Sequence, residues 1–68
     1  MRSYRHDEIL DDANYFRRHN EKVLIEGLDG DGMVGWIRHV GDTHLTVERE
    51  WHSTDKFPIA NVLRMGSR

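Results

Sequence analysis

The chain has 68 residues, a formal net charge of −2 and no cysteine. A chain of this length forms one small domain (residues 1–68), which buries only about 60% of the surface that its unfolded chain exposes. Without disulfides or thiolate zinc sites to add stability, we expect self-association. The absence of cysteine favours a cytoplasmic location, and no apolar run approaches the ~20 residues of a membrane span.

The charge and the motifs exclude several classes of function. Proteins that bind duplex phosphates over a broad surface are normally basic, so the charge of −2 disfavours broad duplex binding. Binding of single strands by a small basic patch remains possible. The sequence has no nucleophile elbow and no glycine-rich nucleotide loop, so we expect neither an enzyme nor a cofactor nor a small-molecule substrate. Its five histidines do not have metal-ligand spacing, and no metal site is expected.

Residues 7–19 are predicted to form an amphipathic helix after a frayed N-terminus at residues 1–6. Ile9, Ala13 and Phe16 recur at helical spacing, which makes a narrow apolar stripe. Acidic side chains at the start and basic ones at the end suit the helix dipole. A helix of this length is unstable alone in water, so it has to pack on another element.

Residues 22–65 have the alternation of a five-stranded antiparallel sheet. Asp-Gly turns between alternating apolar runs are the strongest short-range signal for a hairpin. The predicted strands are residues 22–28, 33–40, 44–51, 56–59 and 61–65, followed by a tail at residues 66–68. Gly35 lies inside the second strand, where glycine indicates a sharp bend. We therefore predict a mostly β fold, with the helix packed on a strongly bent sheet that closes into a small barrel.

The alternation divides the apolar side chains between two faces of the sheet. The interior is predicted to contain Val23, Ile25, Ile37, Leu45 and Val47. The outer face is predicted to carry Leu24, Val34, Trp36 and Val40. Either the helix and the tail cover this outer patch, or it forms an interface between copies. The predicted edge at residues 56–63 would otherwise invite uncontrolled pairing. Pairing of this edge with a neighbouring copy would account for both the edge and the outer apolar patch.

The order of elements and several motifs resemble a known family. The motifs are Val23-Leu24-Ile25, the Asp29-Gly30 turn, Met33-Val34-Gly35-Trp36-Ile37, the Gly41-Asp42 turn and Lys56-Phe57-Pro58-Ile59. With these residues the chain resembles the Sm-like (LSm) family, and within it the Hfq branch of bacterial RNA chaperones. The resemblance covers about residues 9–65. A divergent relative, such as a phage-encoded one, fits better than an orthologue.

The resemblance implies a fold, an assembly and a ligand. It implies a five-stranded Sm-like (SH3-like) barrel that assembles as a homo-oligomeric ring of five to seven subunits by pairing edge strands. It also implies binding of single-stranded RNA without catalysis, as an RNA chaperone or a scaffold of RNA metabolism.

The resemblance also implies two groups of RNA-binding residues. The pore group is Asp42, Thr43, His44, Lys56 and Phe57, and the rim group is Arg17 and Arg18. Phe57 stands where Hfq has a histidine, but an aromatic ring that stacks on a base contributes roughly 1–3 kcal/mol. On sequence alone, a solvated helix end is the better explanation of the two arginines, and only the resemblance brings an RNA-binding rim close to parity with it.

Two other functions remain open at this stage. The chain could be a monomeric SH3-like or Tudor-like module, with Trp36, Trp51 and Phe57 forming a groove for a peptide. It could also be a structural oligomer without RNA activity.

Overall fold

The structure, a computed structural model, describes residues 6–68. One helix precedes five strands: α1 His6–Arg18, β1 Lys22–Gly27, β2 Gly32–Val40, β3 His44–Glu48, β4 Thr54–Pro58 and β5 Val62–Ser67. Two 3-10 turns flank β4. We call the one before it the Trp51 turn (Glu50–His52) and the one after it the link (Ile59–Asn61). No helix within the described range is long and apolar enough to cross a bilayer.

The helix α1 begins and ends one residue before the predicted bounds. Asp7 and Glu8 lie in its first turn and Arg17 and Arg18 in its last, as the dipole favours. Its buried side chains are Ile9 and Ala13, which face β2, β5 and the link. Except for His6, which begins α1, the segment expected to fray lies outside the described residues.

The five strands form one antiparallel sheet in the order β4-β3-β2-β1-β5. Each strand up to β4 pairs with its predecessor, and β5 returns to pair with β1. The predicted combination of an N-terminal helix with five antiparallel strands is confirmed. Across residues 6–68, β4 and β5 are not paired with each other, so the sheet is bent but its ladder does not close. In the part of the chain that the structure describes, the outer edges of β4 and β5 are therefore both free.

Gly35 lies where β2 and β3 leave no room for a side chain. A Cβ atom at this position would lie 2.8 Å from Val47 Cγ1 and well inside contact distance of the Glu48 carbonyl oxygen. Only glycine lets β2 and β3 approach this closely. The bend that was predicted from the isolated glycine therefore has a steric cause.

A bulge in β2 changes one predicted orientation. The register runs from Ile37 opposite Val47 directly to His39 opposite Thr46, so Arg38 is the extra residue. Beyond the bulge the alternation is inverted, and Val40 packs against the core opposite Leu45. The prediction that Val40 points outward was wrong for this reason.

The core lies between α1 and the inner face of the sheet. Its buried residues are Ile9, Ala13, Val23, Ile25, Ile37, Leu45, Val47, Phe57, Ile59 and Val62. All five side chains that alternation assigned to the interior belong to it. Leu24, Val34 and Trp36 are half-buried.

The second half of the chain departs from the predicted bounds. Strand β3 ends at Glu48 instead of continuing to Trp51, because the chain turns there through positive φ angles at Trp51 (77°) and His52 (60°). Strand β4 begins at Thr54, inside the expected polar turn. Strand β5 extends to Ser67, so the expected tail is mostly strand.

Candidate nucleic-acid interface

The turn at residues 41–43 lies against the link. The Ile59 backbone N–H donates to the Thr43 carbonyl oxygen at 2.9 Å, and His44 is paired with Pro58 across β3 and β4. The predicted pore residues of this turn are therefore held next to the end of β4. Two segments that are distant in sequence meet at this point of the fold.

The side chains of this turn face solvent. Asp42, Thr43 and His44 are all exposed. Thr43 Oγ1 and His44 Nδ1 are 2.9 Å apart, a hydrogen bond whose direction depends on the histidine tautomer. The turn thus presents a carboxylate, a hydroxyl and an imidazole, which suit the hydrogen-bonding edge of a base.

Lys56 reaches the same region from β4. Its backbone is opposite Thr46, two residues after His44 on β3, so alternation places Lys56 and His44 on one face of the sheet. The Lys56 side chain is exposed, and within residues 6–68 it takes part in no ion pair. Its ammonium group is available to a phosphate.

Phe57 faces the other way from Lys56. It is opposite Leu45, and only 4% of its surface is exposed. Its ring belongs to the core and is not presented for stacking on a base in this subunit. The sequence contained a signal for this orientation: neighbouring residues of a strand face opposite sides of the sheet, so a solvent-facing Lys56 implies a core-facing Phe57.

The rim arginines lie on a separate element, the last turn of α1. Both are exposed, and Arg17 Nη2 donates to Asn14 Oδ1 at 3.3 Å. In the described part of the chain neither takes part in an ion pair. The last turn of the helix thus carries two exposed guanidinium groups that are not neutralised by a carboxylate of residues 6–68.

The other cations on or beside the sheet lie at its surface and carry ion pairs. Four of them are paired with carboxylates: Lys22 with Glu50, Arg38 with Glu48, Arg49 with Asp55 and Arg64 with Glu26. The ion pairs hold the pKa of Glu26, Glu48 and Glu50 below the ordinary range of a glutamate, and that of the Arg64 guanidinium above its own. Apart from the C-terminal Arg68, the cations left without an ion pair across residues 6–68 are Arg17, Arg18 and Lys56.

A second network at the link was not predicted from the sequence. Asn61 Nδ2 donates to Asp29 Oδ1 at 3.2 Å, and the Asn61 carbonyl accepts from the Leu28 N–H at 2.9 Å. The Asp31 N–H also donates to Asp29 at 3.1 Å, and together with Asn61 it lowers the pKa of the Asp29 carboxyl. The link therefore holds the β1–β2 turn as well as the turn at residues 41–43.

The peptide groove expected for a monomeric module does not form from its three aromatic residues. Phe57 faces the core, whereas Trp36 lies on the outer face with the Lys22 ammonium 5.5 Å from its ring centroid. Trp51 is 92% exposed. Across residues 6–68 no cluster of three or more possible metal ligands is present.

Comparison with protein-family models gives no match, and comparison with curated proteins gives none either. Among solved structures, the chain is similar to the 1.55 Å crystal structure of the pleiotropic translational regulator Hfq. The TM-score is 0.76 at 12% sequence identity, over 85% of this chain and 86% of the Hfq chain. The fold is therefore the Sm-like fold of Hfq, as the sequence predicted.

Proposed function

We propose, starting from the Sm-like fold that the chain shares with Hfq, that it forms a homo-oligomeric ring that binds single-stranded RNA. Asp42, Thr43, His44 and Lys56 would contact RNA at the pore, and Arg17 and Arg18 at the rim. Phe57 would support Lys56 from the core. The ring would act in the cytoplasm as an RNA chaperone or scaffold, with no covalent chemistry.

The observation that carries this proposal is the meeting of Lys56 with the turn at residues 41–43. The hydrogen bond from Ile59 to Thr43 places a free cation and several hydrogen-bonding groups on neighbouring segments. Most other cations of the sheet are occupied by carboxylates, so phosphate attraction is concentrated where the RNA site was predicted. Because phosphate contacts supply most non-specific affinity, this distribution favours a local site over a broad one.

The two free strand edges support assembly. A free edge presents unpaired N–H and C=O groups, and proteins usually cover such an edge or pair it. Pairing of β4 with β5 of the next copy would satisfy both edges at once and, as a head-to-tail contact, would close into a ring. Several copies of Lys56 would then converge around one axis, which reconciles an anionic chain with an anionic ligand.

Assembly is tested first, by native mass spectrometry at micromolar concentration. We expect a single closed species of five to seven subunits. A strict monomer would contradict the proposal, and a dimer would contradict head-to-tail closure.

RNA binding is tested by titrating a U-rich oligoribonucleotide at several salt concentrations. We expect Lys56→Ala to weaken binding and to reduce the slope of log K against log salt, because one phosphate contact per subunit is lost. Arg49→Ala is the matched control, since Arg49 is already paired with Asp55 at 3.4 Å. A ring whose wild-type form binds no RNA at low salt would instead be a structural oligomer.

The rim is tested separately with Arg17→Ala and Arg18→Ala together. Removing two exposed charges should weaken RNA binding while leaving the ring mass unchanged. Unchanged affinity would show that these arginines are only a solvated helix end.

A further inference from the structure

Trp51 is not explained by the packing of one subunit. Its side chain is 92% exposed, and its backbone has a φ angle of 77°, followed by 60° at His52. A left-handed conformation at a non-glycine residue costs on the order of 1–3 kcal/mol and persists only where the surrounding structure imposes it. The chain therefore uses a strained turn to hold a large apolar ring in solvent.

Gly66 is a second feature without a cause inside the subunit. It lies within β5, opposite Leu24, on the side of the sheet away from the core. Glycine inside a strand weakens it and usually marks the close approach of another backbone or ligand. However, a Cβ atom at Gly66 would meet no atom within 4 Å, and its φ angle is not positive. Within residues 6–68 nothing requires glycine at this position.

A groove opens over Gly66 along the outer face of β1 and β5. Its volume is about 200 Å³, and its lining includes Leu24, Glu26, Arg64 and Gly66. This is several times the ~30 Å³ that a water molecule occupies in the liquid. Its floor is apolar at Leu24 and flat at Gly66, and Arg64 is 74% exposed at its side. An aromatic ring suits such a surface, because its face can cover a glycine and receive a cation.

Strand polarity brings these two features together. Trp51 lies three residues before the start of β4, and Gly66 is one residue before the end of β5. If β4 of one copy adds to β5 of the next in the antiparallel sense of all other pairs in the sheet, the start of β4 lies beside the end of β5. The turn that carries Trp51 then lies beside the groove of the neighbouring copy.

We propose that Trp51 of each copy packs over Gly66 of the next copy, in the groove beside Leu24 and Arg64. The contact rests on the proposed ring and adds to it a side-chain anchor that fixes the register of the edge pairing. The occupant of the groove is thus a second copy of this chain. The indole would gain a cation–π contact with the Arg64 guanidinium.

The test compares the dissociation of wild-type rings with that of Trp51→Ala and Gly66→Val, measured by native mass spectrometry and sedimentation during dilution. Each change should raise the dissociation constant per contact by about 30-fold, as for other aromatic anchors at interfaces. Gly66→Val has open space in the subunit, so its helix and strand content should be unchanged by circular dichroism. Tyr15→Ala removes an exposed aromatic side chain from α1 and should leave dissociation unchanged.

Two further measurements separate this inference from the ring itself. In the double variant, the effects of Trp51→Ala and Gly66→Val should not add, because both remove the same contact. In a Trp36→Phe background, Trp51 fluorescence should shift to shorter wavelength on assembly. Rings that form with Trp51→Ala as strongly as the wild type, or a Trp51 emission that stays that of a solvated indole, would overturn the contact and leave the ring intact. A monomeric wild type would overturn both.

Discussion

At the scale of single residues, Gly35 shows how one missing side chain determines the shape of the sheet. The structure leaves no room for a Cβ atom between β2 and the Glu48 carbonyl group, with the Val47 side chain beside it. We expect Gly35→Ala to lower the free energy of unfolding by about 3 kcal/mol, because the obstacle includes backbone that cannot move aside as a flexible side chain can. Urea denaturation measures this change.

The matched control for that substitution is Gly32→Ala in the same strand. A Cβ atom at Gly32 would lie 3.6 Å from the Ile25 carbonyl oxygen, which is ordinary contact. Its effect should stay within about 1 kcal/mol. Equal effects of the two substitutions would mean that the close approach at Gly35 is not what bends the sheet.

The hydrogen bonds of the Asp29 carboxylate should make the free energy of unfolding depend on pH. Hydrogen bonds from the Asp31 N–H and the Asn61 amide lower its pKa from the ordinary value of 3.8. Because the folded pKa lies below the unfolded one, the contribution of Asp29 is fully present above pH 3.8 and is lost as the pH falls through the folded pKa. We expect Asp29→Asn, whose amide oxygen can still accept both hydrogen bonds, to flatten the loss of stability below pH 4.

The measurement for Asp29 is the urea midpoint of both proteins between pH 2 and pH 7. Parallel curves for wild type and Asp29→Asn would show that this carboxylate does not contribute to the acid dependence. Glu48→Gln is a useful comparison, since Arg38 and then His52 lower the pKa of Glu48 in a different part of the sheet.

At the scale of elements, the helix and the sheet depend on each other for burial. Ile9 is 3% exposed and Ala13 is fully buried, whereas most of α1 faces solvent. Ile9→Ala should lower the free energy of unfolding by about 3 kcal/mol, through lost transfer energy and the cavity that remains. The loss of helical circular dichroism and of the sheet signal should coincide during denaturation.

Tyr15→Ala on the same helix is the control, because Tyr15 is 47% exposed. It should change the free energy of unfolding by less than about 1 kcal/mol. If the helix of Ile9→Ala melts while the sheet remains folded, α1 is an accessory element and not part of one cooperative core.

The elements were predictable where local chemistry decides them. The 3.6-residue period of α1 and the alternation of β1 to β3 come from burial on one face. The sequence therefore identified five core side chains of the sheet: Val23, Ile25, Ile37, Leu45 and Val47. The bulge at Arg38 was not predictable, because it depends on pairing with β3. The Trp51 turn was missed because positive φ angles at tryptophan and histidine have no signal in sequence. The Asn61–Asp29 contact joins residues 32 positions apart, which no local pattern reports.

At the scale of the whole molecule, stability should depend on concentration. The chain is small and leaves two strand edges free, so the proposed ring would stabilise the folded state by mass action. We expect the melting temperature to rise by several degrees between low and high micromolar protein concentration. Trp51→Ala should reduce this rise, and a melting temperature independent of concentration would contradict assembly at these concentrations.

The link has a geometric consequence for such an assembly. Its three residues join the two edge strands, and its ends are tied by Thr43 on one side and by Leu28 and Asp29 on the other. These hydrogen bonds hold the link and therefore fix the angle between the two edge strands of one subunit. In a closed ring, that angle determines how many subunits complete the ring. The number of subunits should then depend on the geometry of the link. Binding of RNA at the turn of residues 41–43 should leave that number unchanged.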